Sequence, residues 1–115
     1  MKYLCMVYFD EQQLESLFTT AGVGLTQESM AYNETLQQSG HFLHAEALQS
    51  VQTATTVRVR SGKVSVTDGP FAETSEQLGG FILIEASDLN DAIQVAAKIP
   101  LARLGSIEVR PIRGL

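Results

Sequence analysis

A chain of 115 residues with 44% hydrophobic and 18% charged residues suits one domain, spanning 1–115, with one core; it excludes a disordered segment and two independent cores. A formal net charge of -5 repels phosphate backbones, so no nucleic-acid partner is expected; Arg58, Arg60 and Lys63, like Arg103, Arg110 and Arg113, are read as solvated strand edges. No stretch approaches the ~18 apolar residues of a membrane span, and the first apolar run ends at Asp10, so neither a membrane partner nor a signal peptide is expected and the cytoplasm is the expected compartment.

Residues 2–9 form a run rich in β-formers, with apolar side chains at both parities, which predicts a central strand buried on both faces. The single cysteine, Cys5, lies inside it and is read as a core thiol. Asp10 followed by Gln13 resembles a capping box, and Leu14, Leu17 and Phe18 share a face, so a short helix is expected near 11–18. Gly22 and Gly24 then predict a loop. A second helix is expected from an N-cap at Thr26 to a stop at Gly40, with one stripe of Met30, Asn33 or Glu34, and Gln37, and another of Tyr32 and Leu36.

Residues 42–48 alternate as a strand, with Leu43, Ala45 and Ala47 on one face and Phe42, His44, Glu46 and Leu48 on the other. Residues 54–60 and 63–67 read as a hairpin turning at Ser61-Gly62. Gly79-Gly80 precedes a second buried strand at Phe81–Ile84 and is read as a bulge or a close backbone approach. Asp88 caps a helix in which Leu89, Ala92, Ile93, Ala96 and Ala97 make the stripe and Pro100 forces the stop. A last strand near 106–110 points Ile107 and Val109 inward. This order predicts an α+β fold, a ferredoxin-like sandwich with an extra hairpin. Helices cover one sheet face, so the other is expected to be covered by a second copy, giving a homodimer that closes a dimeric α+β barrel.

The run from Asp68-Gly69-Pro70-Phe71-Ala72-Glu73-Thr74 through Glu76-Gln77-Leu78-Gly79-Gly80-Phe81 resembles the signature of the YCII-related, or DGPF, family. Thr53 to Arg60 and Glu108 to Ile112 match as well, whereas the first 40 residues match only in pattern. The resemblance implies the dimeric α+β barrel and brings no established reaction. Relatives in the wider superfamily include muconolactone isomerase and monooxygenases that work without a metal. Members encoded beside extracytoplasmic-function sigma factors imply a sigma-factor association. A His–Asp pair has been proposed for the wider group, with a histidine in the first long helix and an aspartate just before a proline after the second. Here the helix around Tyr32-Asn33 has no histidine and Ile99 precedes Pro100, so that pair is absent.

Three groups of residues are candidates for chemistry. Asp68, in a turn where Phe71 is expected to anchor the loop, is either a turn former or a general base sheltered near Glu73 and Glu76. His44 and Glu46 share a strand face about 7 Å apart, the spacing of a base and its orienting carboxylate. Tyr32, Glu73 and Glu76 are the expected ligand-binding residues. His41 falls on the other parity from His44, so no metal site is expected, and no cofactor motif occurs. Three roles stay open: a dimeric binder of a small molecule, a cofactor-free enzyme using His44 or Asp68 as base, and a protein interaction module.

Overall fold

The computed structural model describes residues 1–114, and the side chains of all of these except 15–23. Strand β1 (Lys2–Phe9) leads into helix α1 (Glu11–Gln38) and strand β2 (Phe42–Ala47). A hairpin of β3 (Thr55–Arg60) and β4 (Lys63–Asp68) follows, then β5 (Gln77–Glu85), helix α2 (Leu89–Ala97) and β6 (Ser106–Pro111). The main sheet runs β2-β5-β1-β6 with every neighbour antiparallel, the ferredoxin-like order. As the double-parity apolar run predicts, β1 is an interior strand.

On the inner face of the sheet, Tyr3, Cys5, Val7, Ile82 and Ile84 pack against Leu36 of α1 and against Ala92, Val95 and Ala96 of α2. On the outer face, Leu4, Met6, Phe81 and Leu83 are only half-buried, because both helices lie on the other side. The molecule is correspondingly flat, 47 × 44 × 18 Å.

The two helices expected over 11–18 and 26–39 are one. Asp10 caps it, its Oδ1 accepting from the amides of Gln12 at 3.0 Å and Gln13 at 3.3 Å. Glycine inside a helix costs only about 1 kcal/mol relative to alanine, and no proline breaks the ladder between residues 11 and 38, so Gly22 and Gly24 do not stop it. Thr26 is therefore a mid-helix residue and no cap. The stop does fall at Gly40: its φ of +81° lets the His41 amide reach the Leu36 carbonyl at 2.9 Å and the Gly40 amide reach that of Gln37 at 3.2 Å, a Schellman closure. Leu36 and Tyr32 form the stripe that meets the core, and Met30 is exposed.

Two further expectations are corrected. A register shift between Phe42 and His44 turns Phe42, opposite Ile84, to the helix side with Ala45, opposite Ile82, leaving Leu43 as the odd residue. The buried face of α2 is Ala92, Val95 and Ala96, rotated from the expected stripe, so Leu89 and Ile93 are about half exposed. The hairpin turns at Ser61 and Gly62, both at positive φ, and forms a separate two-stranded ribbon. Val57 opposes Val66 and Val59 opposes Val64 on one side of it, all four exposed.

Ile84 is fully buried in the core. Ile84→Ala is expected to cost about 2–5 kcal/mol, read as a lower urea midpoint at unchanged slope. A loss below 1 kcal/mol would show that this strand does not anchor the core.

Candidate functional site

Where residues 25–33 of α1 pass over the inner sheet face, the sheet offers small side chains: Ala45 and Ala47 on β2, Gly79 and Gly80 on β5. Small residues beneath a long helix leave space. The result is a cavity of about 560 Å³, with Val7, Phe9, Leu14, Leu25, Ile82, Ile99 and Leu101 as its apolar wall. Thr26, Ser29, Tyr32 and Asn33 bring polar atoms along α1, and Ser50 and Glu11 stand at the rim.

The two glycines are demanded by packing. A Cβ on Gly80 would lie 2.8 Å from the Glu46 carbonyl oxygen of the neighbouring strand, and one on Gly79 would run into the Phe9 ring. Gly79 also sits at the register shift between Val7 and Tyr8 of β1, so the reading as a bulge with close backbone approach holds.

Glu11 fixes the rim. Its Oε1 accepts from the Val51 amide at 2.7 Å and its Oε2 from the Ser50 hydroxyl at 2.8 Å, which ties the segment after β2 to the first turn of α1. The Tyr32 hydroxyl donates to the Val95 carbonyl at 2.6 Å, joining α1 to α2 behind the cavity. Burial, and secondarily Cys5, raises the Tyr32 phenol above its ordinary pKa. Burial pushes the Cys5 thiol up to about 11. Both groups are neutral at pH 7, so Cys5 is an inert core thiol.

The other candidates do not converge on this cavity. The His44 ring and Glu46 carboxylate do meet, with Nε2 and Oε2 3.4 Å apart, but on the outer sheet face and each 60% exposed. The His44 ring also lies 6.1 Å from that of Phe81. Asp68 is exposed at the end of β4, opposite Thr55. Glu73 borders a second, smaller hollow with Asp10, Glu11 and Gln77. Glu76, the residue before β5, accepts from the Ser106 hydroxyl at 2.7 Å, a link from the start of β6 to the start of β5. Phe71 does not anchor the turn: it is 77% exposed, with the Arg58 guanidinium 5.4 Å from its ring centre, a cation–π contact that offsets part of the exposure. Among the described residues no cluster of three metal-ligating side chains occurs.

Sequence reasoning missed a second histidine–carboxylate pair. His41 Nε2 stands 3.1 Å from both Asp91 oxygens, and its Nδ1 lies 2.7 Å from the Ser39 hydroxyl. Asp91 also accepts from the Ser87 amide at 2.9 Å, while its own amide donates to the Asp88 cap at 2.8 Å. The pair clasps the end of α1 to the start of α2. The sequence carries only half of this signal, the acidic residue three positions after the Asp88 cap; its partner is 50 residues away.

The fold and cavity define a class: a two-layer ferredoxin-like α+β domain, helices on one face of the sheet, with an apolar hollow between its long helix and its sheet. Residues 1–115 match the YCII-related domain, and the chain belongs to that family. It is similar to an uncharacterized protein of Rhizobium meliloti (strain 1021), 32% identical over 114 residues, which cover 97% of this chain and 92% of the relative. Among the described residues no helix is long and apolar enough to cross a membrane.

The Asp91 carboxyl is held below the usual carboxylate range, first by the Ser87 amide and then by His41. A carboxyl lowered in the folded state adds stability above its unfolded pKa of about 3.9, and this is lost as pH falls through the lower folded value. Asp91→Asn is therefore expected to lower the melting midpoint by a few degrees at pH 7, the gap to the parent narrowing below about pH 4. A gap that stays constant down to pH 3 would remove the clasp from the pH dependence.

Proposed function

We propose that this domain binds a small, largely apolar molecule between α1 and the inner sheet face, and does so as a homodimer. One observation carries the binding reading: a cavity of about 560 Å³ with an apolar wall and a row of polar groups along one helix. Small-molecule sites commonly have volumes of about 300–1,000 Å³ and this balance of lining. The two glycines and two alanines under the helix hold the space open, and the Glu11 clamp fixes its rim.

Two uncovered apolar surfaces support the dimer. Leu4, Met6, Phe81 and Leu83 are only half-buried on the outer sheet face, which no helix covers, and the four valines of the ribbon are 57–66% exposed. A two-fold copy is the commonest way to shield such a surface. A regulatory protein of the sigma-factor-linked kind implied by the resemblance would compete for the same face. The enzymatic reading rests on His44 and Glu46, and it needs a substrate on that outer face, away from the cavity.

Light scattering at micromolar concentration is expected to give twice the chain mass of 12.5 kDa, and Leu83→Glu to halve it. A parent protein that stays monomeric would rule out the dimer. A ligand at a hundred times its Kd is expected to raise the melting midpoint by about 10 °C. Ala45→Trp, which fills the cavity floor, is expected to abolish that rise. A rise that survives the substitution would place the ligand elsewhere.

A further inference from the structure

We infer, on the strength of the binding role proposed above, that the ligand is uncharged and that the site rejects carboxylates and phosphates. The inference rests on what the cavity lacks and on what its two acids already do. From residue 1 to residue 50 the only cationic or titratable basic side chains are Lys2, His41 and His44, and none of them lines the cavity. The segments that complete the lining, residues 79–82 and 99–101, contain none either. The stretch 15–23 has no lysine, arginine or histidine in its sequence, so no cation enters from there.

Among the described residues the charged ones at the cavity are Glu11 and Glu46, and the Glu46 side chain turns to the outer sheet face. Glu11 has each of its oxygens spent on Ser50 and Val51, and Glu46 has its carboxylate beside His44. An anionic ligand would enter an apolar space with no counter-ion among the lining residues and the Glu11 carboxylate at its rim, where desolvation is uncompensated. A neutral ligand meets no such barrier. It also finds partners: the half-buried Ser29 hydroxyl and Asn33 amide project from one face of α1, and among the described residues neither side chain holds a hydrogen bond. Asn33 offers a donor and an acceptor together, which matches an amide or an alcohol.

Matched probes test this: phenylacetamide against phenylacetate, and naphthaleneacetamide against naphthaleneacetate, followed by saturation-transfer NMR and melting at pH 7.5. The amides are expected to bind at least tenfold tighter than the acids. Ser29→Arg, and separately Asn33→Lys, place a cation in the cavity on a helix that tolerates either residue, and each is expected to reverse the preference toward the acids. Circular dichroism verifies that the helix is retained. Acids that bind the parent as tightly as the amides, with Ala45→Trp abolishing both, would overturn the charge selectivity while leaving the binding role standing. An absence of saturation transfer from all four probes, in the parent and in both cationic variants, would overturn the cavity as a binding site and the selectivity with it.

Discussion

One-sided roofing of the sheet is the constraint on which the rest of the structure depends. Strand β1 carries apolar side chains on both faces, yet the chain supplies helices for only one. Tyr3, Cys5 and Val7 are buried beneath α1 and α2, whereas Leu4 and Met6 on the alternate positions keep contact with solvent. Because the side-chain period of a strand is two, no local adjustment can hide both sets on one side. The unroofed face follows from the topology, and so does the flatness of the molecule.

The same constraint explains where the cavity lies. The inner face has to be covered along its whole width by one 28-residue helix and one short helix. Over β1 and the middle of β5 the sheet presents tyrosine, valine and isoleucine, and the helices close down onto them. Toward β2 and the start of β5 it presents Ala45, Ala47, Gly79 and Gly80. A helix is too stiff to dip toward small residues over so short a distance, so the gap remains. Gly79 and Gly80 are small for reasons of their own, since the Phe9 ring and the Glu46 carbonyl occupy the places where their side chains would go.

Much of the fold was legible in the sequence because its signals are local. The interior position of β1 followed from the double-parity apolar run, the hairpin from Ser61-Gly62, the start of α1 from Asp10 and that of α2 from Asp88. The break at Gly22 and Gly24 was misread, since a glycine weakens a helix by an amount that its flanking turns can offset. The site was less legible. Tyr32 does line the cavity, and His44 and Glu46 do meet, but the cavity itself comes from the pairing of β2 with β5 and the path of α1 above them. None of these is a property of any one segment. His41 and Asp91 illustrate the limit: parity placed His41 away from His44, and only the fold brings it to a carboxylate on the other helix.

The distribution of polar groups gives the two halves of the molecule different tasks. At the end where α1 stops and α2 begins, hydrogen bonds are spent on closure: the Schellman turn at Gly40, the Asp88 cap and the His41–Asp91 clasp saturate one another. At the opposite end, along residues 25–33, Ser29 and Asn33 keep unspent hydrogen-bonding capacity beside an apolar wall. Both side chains are only partly buried and no buried side-chain polar atom among the described residues lacks a partner, so this capacity is open to solvent and unspent on the fold. The apolar wall and the unspent helix face lie against the same space, one from the sheet and one from the helix.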